Sequence, residues 1–231
     1  MHNDVIVIIP AYKPGENLIS FTKNLIQKNL KIVVVDDGSG VEYQNVFDQL
    51  KNLNIIVLHH DRNLGKGRAL KTGFNYCLNN VVDVFGVVTA DDDGQHTFLD
   101  ILKVVKRLKE KREELILGVR KFDKEVPFRS KLGNFVTKYF FYLITGQWLQ
   151  DTQTGLRGIP IQYLSKLVKI RGEGYEYEIN VLLNAKKLGI KIEQEPISTI
   201  YLHGNTASHF NPIKDSIKIY WSIIKFIFTG K

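Results

Sequence analysis

Five short apolar, mostly β-branched runs, at 5–9, 31–35, 55–58, 84–88 and 115–118, punctuate the first half of the chain with almost no polar interruption. Runs of this kind belong in strands covered on both faces, because alternation with polar residues is lost only when neither face meets water. Between them, 16–29, 41–52, 67–79 and 97–111 carry apolar residues at helical spacing and are long enough for crossover helices. The succession predicts a mostly parallel, right-handed α/β sheet. At 231 residues, with 44% hydrophobic and 24% charged side chains, one globular domain is expected. No internal repeat, low-complexity segment or Pro/Ser-rich linker divides it, and after Arg120 the chain turns aromatic and basic.

In an open parallel sheet, ligands bind beyond the carboxyl ends of the strands, so the loops there are read together. The first is Pro10-Ala11-Tyr12-Lys13-Pro14-Gly15-Glu16, a stiff turn whose Tyr12 is either a stacking platform for a base or a surface aromatic. The second, Asp36-Asp37-Gly38-Ser39, either accepts hydrogen bonds from a ribose or base, or caps the next helix as an Asx turn. The third, Asp61 to Arg68 with Gly65-Lys66-Gly67, is a basic, glycine-rich turn opening a helix, as anion binding requires, but it lacks the spacing and Ser/Thr of a Walker A loop. The fourth is Asp91-Asp92-Asp93-Gly94-Gln95-His96. Three adjacent carboxylates repel one another, so a divalent cation bearing a phosphorylated ligand is one reading and a solvated turn capped by Thr97 is the other.

A net charge of +8 favours anionic partners, whether nucleic acid, phosphorylated metabolites or an acidic membrane. Lys and Arg are scattered without a groove-reading motif, so nucleic acid is not expected. The single Cys77 excludes an internal disulfide, and the first residues lack the order of a signal peptide, which together predict a reducing, cytoplasmic setting. No apolar stretch reaches the roughly 20 residues of a spanning helix; Lys138, Lys218 and Lys225 interrupt the best candidates.

Taken in order, the four loops resemble those of the family 2 glycosyltransferases of GT-A fold. Asp151-Thr152-Gln153-Thr154-Gly155-Leu156-Arg157 and Gly174-Tyr175-Glu176-Tyr177-Glu178 are similar to segments of the branch that loads sugars onto polyprenyl phosphates, such as dolichyl-phosphate mannose synthases and bacterial undecaprenyl-phosphate transferases. The resemblance runs from Val5 to about Tyr220. It implies a nucleotide-sugar half at about 1–120 and an acceptor and membrane-interface half at about 121–231 within one domain. It implies that Asp91, Asp93 and Gln95 hold Mg²⁺ or Mn²⁺ on the diphosphate, with Asp92 between them. Pro10, Tyr12, Glu16 and Asp37 then hold the nucleoside, and Lys66 and Arg120 complete the nucleotide-sugar site. Dolichyl-phosphate mannose synthases carry a Ser-Lys pair on their closing loop, where this chain has Ser208-His209. His209 is accordingly expected at the diphosphate, and the donor is expected to be UDP-glucose or UDP-N-acetylglucosamine.

For the acceptor, Arg120, Arg129 and Arg157 are read as lying outside the strands, where a guanidinium fork suits a phosphate; for any one of them in isolation a surface or ion-paired arginine is the better reading. Arg129 and Arg157, with Asp93, form the expected catalytic set. From Ser130 onward a broad apolar face recurs at helical spacing, which fits a core helix as well as one lying on lipid. At 215–229, Lys218, Ser222, Lys225 and Thr229 form one polar stripe among Ile, Trp, Tyr and Phe, which predicts a helix in the headgroup region, peripheral on the cytoplasmic face. Dimerisation through that face is the alternative, and a separate small membrane-protein partner is a further expectation. A lipid phosphate, with a second pKa of about 6, needs no base. Glu176 and Glu178 keep open a soluble enzyme that deprotonates a glycan hydroxyl.

Overall fold

The structure, a computed structural model, describes residues 4–120, 128–198 and 214–229, with only the backbone described at 128–136 and 229. Seven strands form one sheet: β1 (Val5–Ala11), β2 (Lys31–Asp36), β3 (Ile56–His59), β4 (Gly86–Thr89), β5 (Glu114–Arg120), β6 (Arg157–Pro160) and β7 (Lys191–Ile197). Their order is β3-β2-β1-β4-β6-β5-β7. Every neighbouring pair is parallel except those involving β6, which runs antiparallel to β4 and β5.

The helices are α1 (Asn17–Ile26), α2 (Gln44–Asn52), α3 (Lys66–Asn80), α4 (Phe98–Glu110), α5 (Phe128–Thr145), α6 (Ile161–Leu167), α7 (Glu176–Ala185) and α8 (Lys214–Thr229). They cover the sheet on two sides. Val5, Val7 and Ile9 of β1 join Leu18, Phe47, Ile101 and Val104 from α1, α2 and α4, while Ile6 and Ile8 join Leu70, Phe74, Leu164 and Leu182 from α3, α6 and α7. Successive strand residues point to opposite faces, so a β1 of uninterrupted apolar residues is what two cores require. Each fully buried Leu or Ile contributes about 1.5–3 kcal/mol.

The five expected strands and four expected helices all form, within a few residues at each end. Two strands were not foreseen. β6 is four residues long and contains Arg, Gly and Pro. β7, at the sheet edge, carries Lys191, Glu193 and Glu195 among its apolar residues; Arg107 of α4 pairs with Glu193 at 2.6 Å and approaches Glu195 at 3.7 Å. A charged edge strand resists pairing with another molecule.

The antiparallel β6 matters for function. Thr89 at the end of β4 is in register with Arg157 at the start of β6. The loop 151–156 therefore arrives at the same sheet edge as the carboxyl ends of β1, β2 and β4.

Candidate functional site

Three segments far apart in sequence meet at that edge. Lys66, the first residue of α3, places its Nζ 2.7 Å from Asp91 Oδ1 and 2.8 Å from Glu178 Oε2, joining the loop after β4 to the first turn of α7. All three side chains are largely buried. Burial alone raises a carboxyl pKa, but Lys66 and His96 outweigh it and hold Asp91 far below the usual range; the two carboxylates likewise overcome burial and raise Lys66. The ammonium is thus locked on, and Asp91 locked ionised.

The remaining acids of the triplet behave differently. Asp92 is pushed up to about 7 by burial, then by the charges of Asp91 and Asp93, even though its carboxyl accepts the Tyr12 backbone N–H. Asp93 is also raised, by burial and Asp91, and its Oδ1 accepts Gln95 N–H at 3.0 Å. Local negative charge is in excess here, and hard oxygens in that state fit a hard divalent cation. Among the described residues no three carboxylate or imidazole groups converge on one point. In the kind of atom they offer, hard oxygens, Asp91, Asp93 and Gln95 suit Mg²⁺ or Mn²⁺. His96, buried, has its Nε2 3.5 Å from Asp91 Oδ2 and its Nδ1 without a partner among the described residues.

Two glycines are fixed by close approach. A Cβ on Gly155 would land on both carboxylate oxygens of Asp91, and Thr89 Oγ1 donates to the Gly155 carbonyl at 2.7 Å, pinning the loop. Gly65 has φ +102°, and a Cβ there would strike the Glu173 carbonyl oxygen. The turn read as an anion cradle is thus packed against the loop before α7, with Arg68 N–H donating to Glu173 O at 3.0 Å.

Asp37 turns inward. Its Oδ1 accepts Leu64 N–H at 2.9 Å and lies 2.7 Å from His60 Nδ1, its Oδ2 accepts Gly65 N–H at 2.8 Å, and His60 Nε2 reaches Thr72 Oγ1 at 2.9 Å. This carboxylate, expected at the nucleoside, clamps the loop that presents Lys66. Asp36 accepts Ser39 N–H at 2.9 Å and pairs with His59. Pro10 is buried at the end of β1, Tyr12 is half-buried beside Asp92, and Glu16 is exposed at the start of α1 without a side-chain capping bond.

Two of the arginines depart from their expected place outside the strands. Arg120 and Arg157 lie in strands, as the last residue of β5 and the first of β6. Arg120 forms a two-pronged pair with buried Asp151, Nε to Oδ2 at 2.6 Å and Nη2 to Oδ1 at 3.2 Å. Arg157 is 3% exposed and donates to the backbone oxygens of Thr154 and Glu178 at 3.1 and 2.7 Å. Its Nη2 and Glu178 Oε1 have no partner among the described residues, and both residues border a small cavity with room for about one water. A guanidinium so enclosed positions the start of α7. The Arg129 side chain and His209 lie outside the described residues. Glu176 spends its Oε1 on Glu173 and Gly174 N–H at 3.0 and 3.1 Å.

Sequence reasoning missed His60, Thr72, His96, Asp151 and the role of Gly155. His96 and Asp151 stood inside motifs already read but with no role given, and His60 directly follows β3, whose last residue, His59, is in register with Asp36.

Residues 6–166 match the family described as "Glycosyl transferase family 2". A UDP-N-acetylglucosamine–dolichyl-phosphate N-acetylglucosaminyltransferase of Methanococcus voltae is 30% identical, over 95% of this chain and 94% of that protein. An undecaprenyl-phosphate mannosyltransferase of Micrococcus luteus is 25% identical, over 85% and 83%. Among solved structures, glucosyl-3-phosphoglycerate synthase from Mycobacterium tuberculosis, in complex with Mn²⁺, UDP and phosphoglyceric acid, superposes with a TM-score of 0.71 at 17% identity, over 96% of this chain and 78% of that one, and shares the fold.

Proposed function

This chain belongs to glycosyl transferase family 2 and is a glycosyltransferase, and we propose that it moves a sugar from a UDP-sugar, UDP-N-acetylglucosamine or UDP-glucose, onto a polyprenyl phosphate such as undecaprenyl phosphate. The observation that carries this reading is the state of the two candidate bases. Glu178 holds Lys66 with one oxygen and Glu176 caps two backbone N–H groups with one, and the second oxygen of each is buried away from solvent, so neither carboxylate presents an oxygen to a hydroxyl acceptor. A phosphate acceptor needs no such base. The full-length similarity to a dolichyl-phosphate transferase supports the same acceptor class.

In the proposed reaction a lipid phosphate oxygen attacks the anomeric carbon, the bond from that carbon to the donor's diphosphate breaks, and configuration inverts. No net proton moves. Asp91, Asp93 and Gln95 would hold Mg²⁺ or Mn²⁺, whose chemistry is to offset the charge on the departing nucleoside diphosphate. Lys66 supplies a fixed positive charge beside them and, through Glu178, ties the donor loop to α7. Asp37 holds the backbone of the Lys66 turn in place. The nucleoside is placed against Tyr12 and Pro10, and His209 and Arg129 are assigned to the two phosphates.

The acceptor half, 121–231, is assigned to the cytoplasmic membrane surface. Tyr139, Phe140, Tyr142 and Leu143 of α5 and Ile217, Trp221, Ile224, Ile227 and Phe228 of α8 are exposed. That much apolar area is costly in water and suits an interfacial element; among the described residues no helix is long and apolar enough to cross a membrane. A small membrane protein or a second copy of the chain would sit on the same surface. The product would feed cell-envelope glycan modification.

The test is product identification: incubating the protein with a panel of UDP- and GDP-sugars, Mg²⁺ or Mn²⁺ and undecaprenyl phosphate in detergent, and seeking the lipid-linked sugar by mass spectrometry. A lipid-linked hexose or N-acetylhexosamine is expected, made undiminished by Glu176→Gln. A product formed only on a glycan hydroxyl, and lost in that variant, would favour the base-dependent reading.

A further inference from the structure

A second concave site lies among α6, α7 and α8. It is an open cavity of about 620 Å³ whose lining includes Lys166, Lys169, Arg171, Lys218 and Lys225. The volume is that of a small-ligand site. Against these cations the lining offers one carboxylate, Glu176, which is engaged with the backbone of Glu173 and Gly174. Lys169, Arg171 and Lys218 form no ion pair among the described residues. Folding therefore sets five cations against one carboxylate around a hollow, and the excess positive charge attracts an anion.

The helix that closes the cavity indicates which anion. α8 presents three stripes. Ile219, Ile223 and Phe226 are buried on α7 and α5; Lys218, Ser222 and Lys225, spaced for one helical face, line the cavity; Ile217, Ile224 and Phe228 are exposed. Trp221 belongs to two of these, lining the cavity while remaining 66% exposed. The basic hollow thus opens beside an apolar ridge, with an amphipathic aromatic at the boundary. A soluble phosphate would use only the hollow. An anionic phospholipid would use both, with its headgroup phosphate among the lysines, its ester region at Trp221 and its chains along the ridge.

We propose that this cavity binds the headgroup of an anionic phospholipid, at a site separate from the Asp91–Lys66 centre, and that it orients the enzyme on the membrane. The inference rests on the reading of α8 as membrane-facing, and its test lets the two fail separately.

The experiment is vesicle flotation of the full chain on phosphatidylcholine alone and on phosphatidylcholine carrying about a quarter phosphatidylglycerol. Two variants are compared: K169Q/K218Q in the cavity and K28Q/K31Q, matched in charge, near the start of β2. All four lysines are exposed, so folding is not at stake, and unchanged thermal melts check this. The wild type is expected to bind the anionic vesicles more tightly. K169Q/K218Q should lose on the order of tenfold of that gain and K28Q/K31Q much less, with activity on detergent-dispersed substrates intact in both. Equal losses in the two variants, or no preference for the anionic lipid, would overturn the cavity assignment while leaving a membrane-facing α8. Failure to bind either vesicle would overturn both. If millimolar glycerol phosphate binds the wild type in calorimetry and abolishes the preference, the ligand is a soluble phosphate and the lipid assignment is wrong.

Discussion

The loops after β1, β2 and β4 and the helices α5 and α8 treat polar and apolar groups in opposite ways. Around Asp37 the carboxylate accepts two backbone N–H groups and faces His60, which reaches on to Thr72. Around α8 only one stripe is buried, and Trp221, Ile224 and Phe228 face outward. A network satisfied from within makes a rigid template whose geometry does not wait for the ligand. An apolar face left open is finished by something outside the chain. The Asp37 turn is thus held in place within one molecule, whereas α8 leaves an apolar face exposed among the described residues.

Substitutions can break this contrast, and the largest effect belongs to the donor side. Asp93→Ala should lower turnover roughly a thousandfold in a coupled nucleoside diphosphate assay while leaving vesicle flotation unchanged, because the two regions share no side chain. Lys66→Met leaves Asp91 and Glu178 facing one another without their cation; a buried charge deprived of its partner costs about 3–5 kcal/mol, to be read from urea unfolding. Gly155→Ala displaces the Asp91 carboxylate and should cost about a hundredfold in turnover, since small misplacements at a reacting centre are expensive. If that variant keeps full activity, Asp91 is not held where the account needs it.

A smaller effect sharpens the contrast through pH. Asp100, buried at the start of α4, receives the Thr97 hydroxyl at 2.7 Å, Ser198 N–H at 3.0 Å and Lys103 at 2.8 Å. Burial raises its pKa, and Lys103, Ser198 and Thr97 overcome this to hold it below the ordinary value. A depressed carboxyl pKa adds stability above the unfolded value of about 3.9 and loses it as pH falls through the folded value. Asp100→Asn should therefore cost about 1 kcal/mol at neutral pH, with the difference closing in acid below about pH 4. Trp221→Ser, on the open face, should leave the thermal midpoint within about 1 °C while weakening flotation.

The same contrast sorts what was readable in the chain. β1, β2, β4 and β5 were legible because both faces are buried and no polar residue breaks the run. β7 was hidden because an edge strand alternates with Glu and Lys, and β6 because four residues with Arg and Pro carry no pattern. Asp91 and Lys66 stood out as charged residues at the ends of legible elements. The inward turn of Asp37 and Arg157 did not, because sequence shows that a side chain is polar but not which backbone groups it will satisfy. For Arg120, the deciding partner is Asp151, 31 residues away. For α8, spacing gave the amphipathic stripe, but the polar residues turned out to line a cavity, and only the packing of α6 and α7 makes that hollow.

The central claim is that transfer awaits a lipid phosphate. It is tested most directly by measuring nucleoside diphosphate release from one preparation, with the preferred UDP-sugar and divalent metal, in the presence and absence of undecaprenyl phosphate. The account predicts release that is at background without the lipid, rises on its addition and vanishes in Asp93→Ala. Release at the same rate without any lipid phosphate would contradict it.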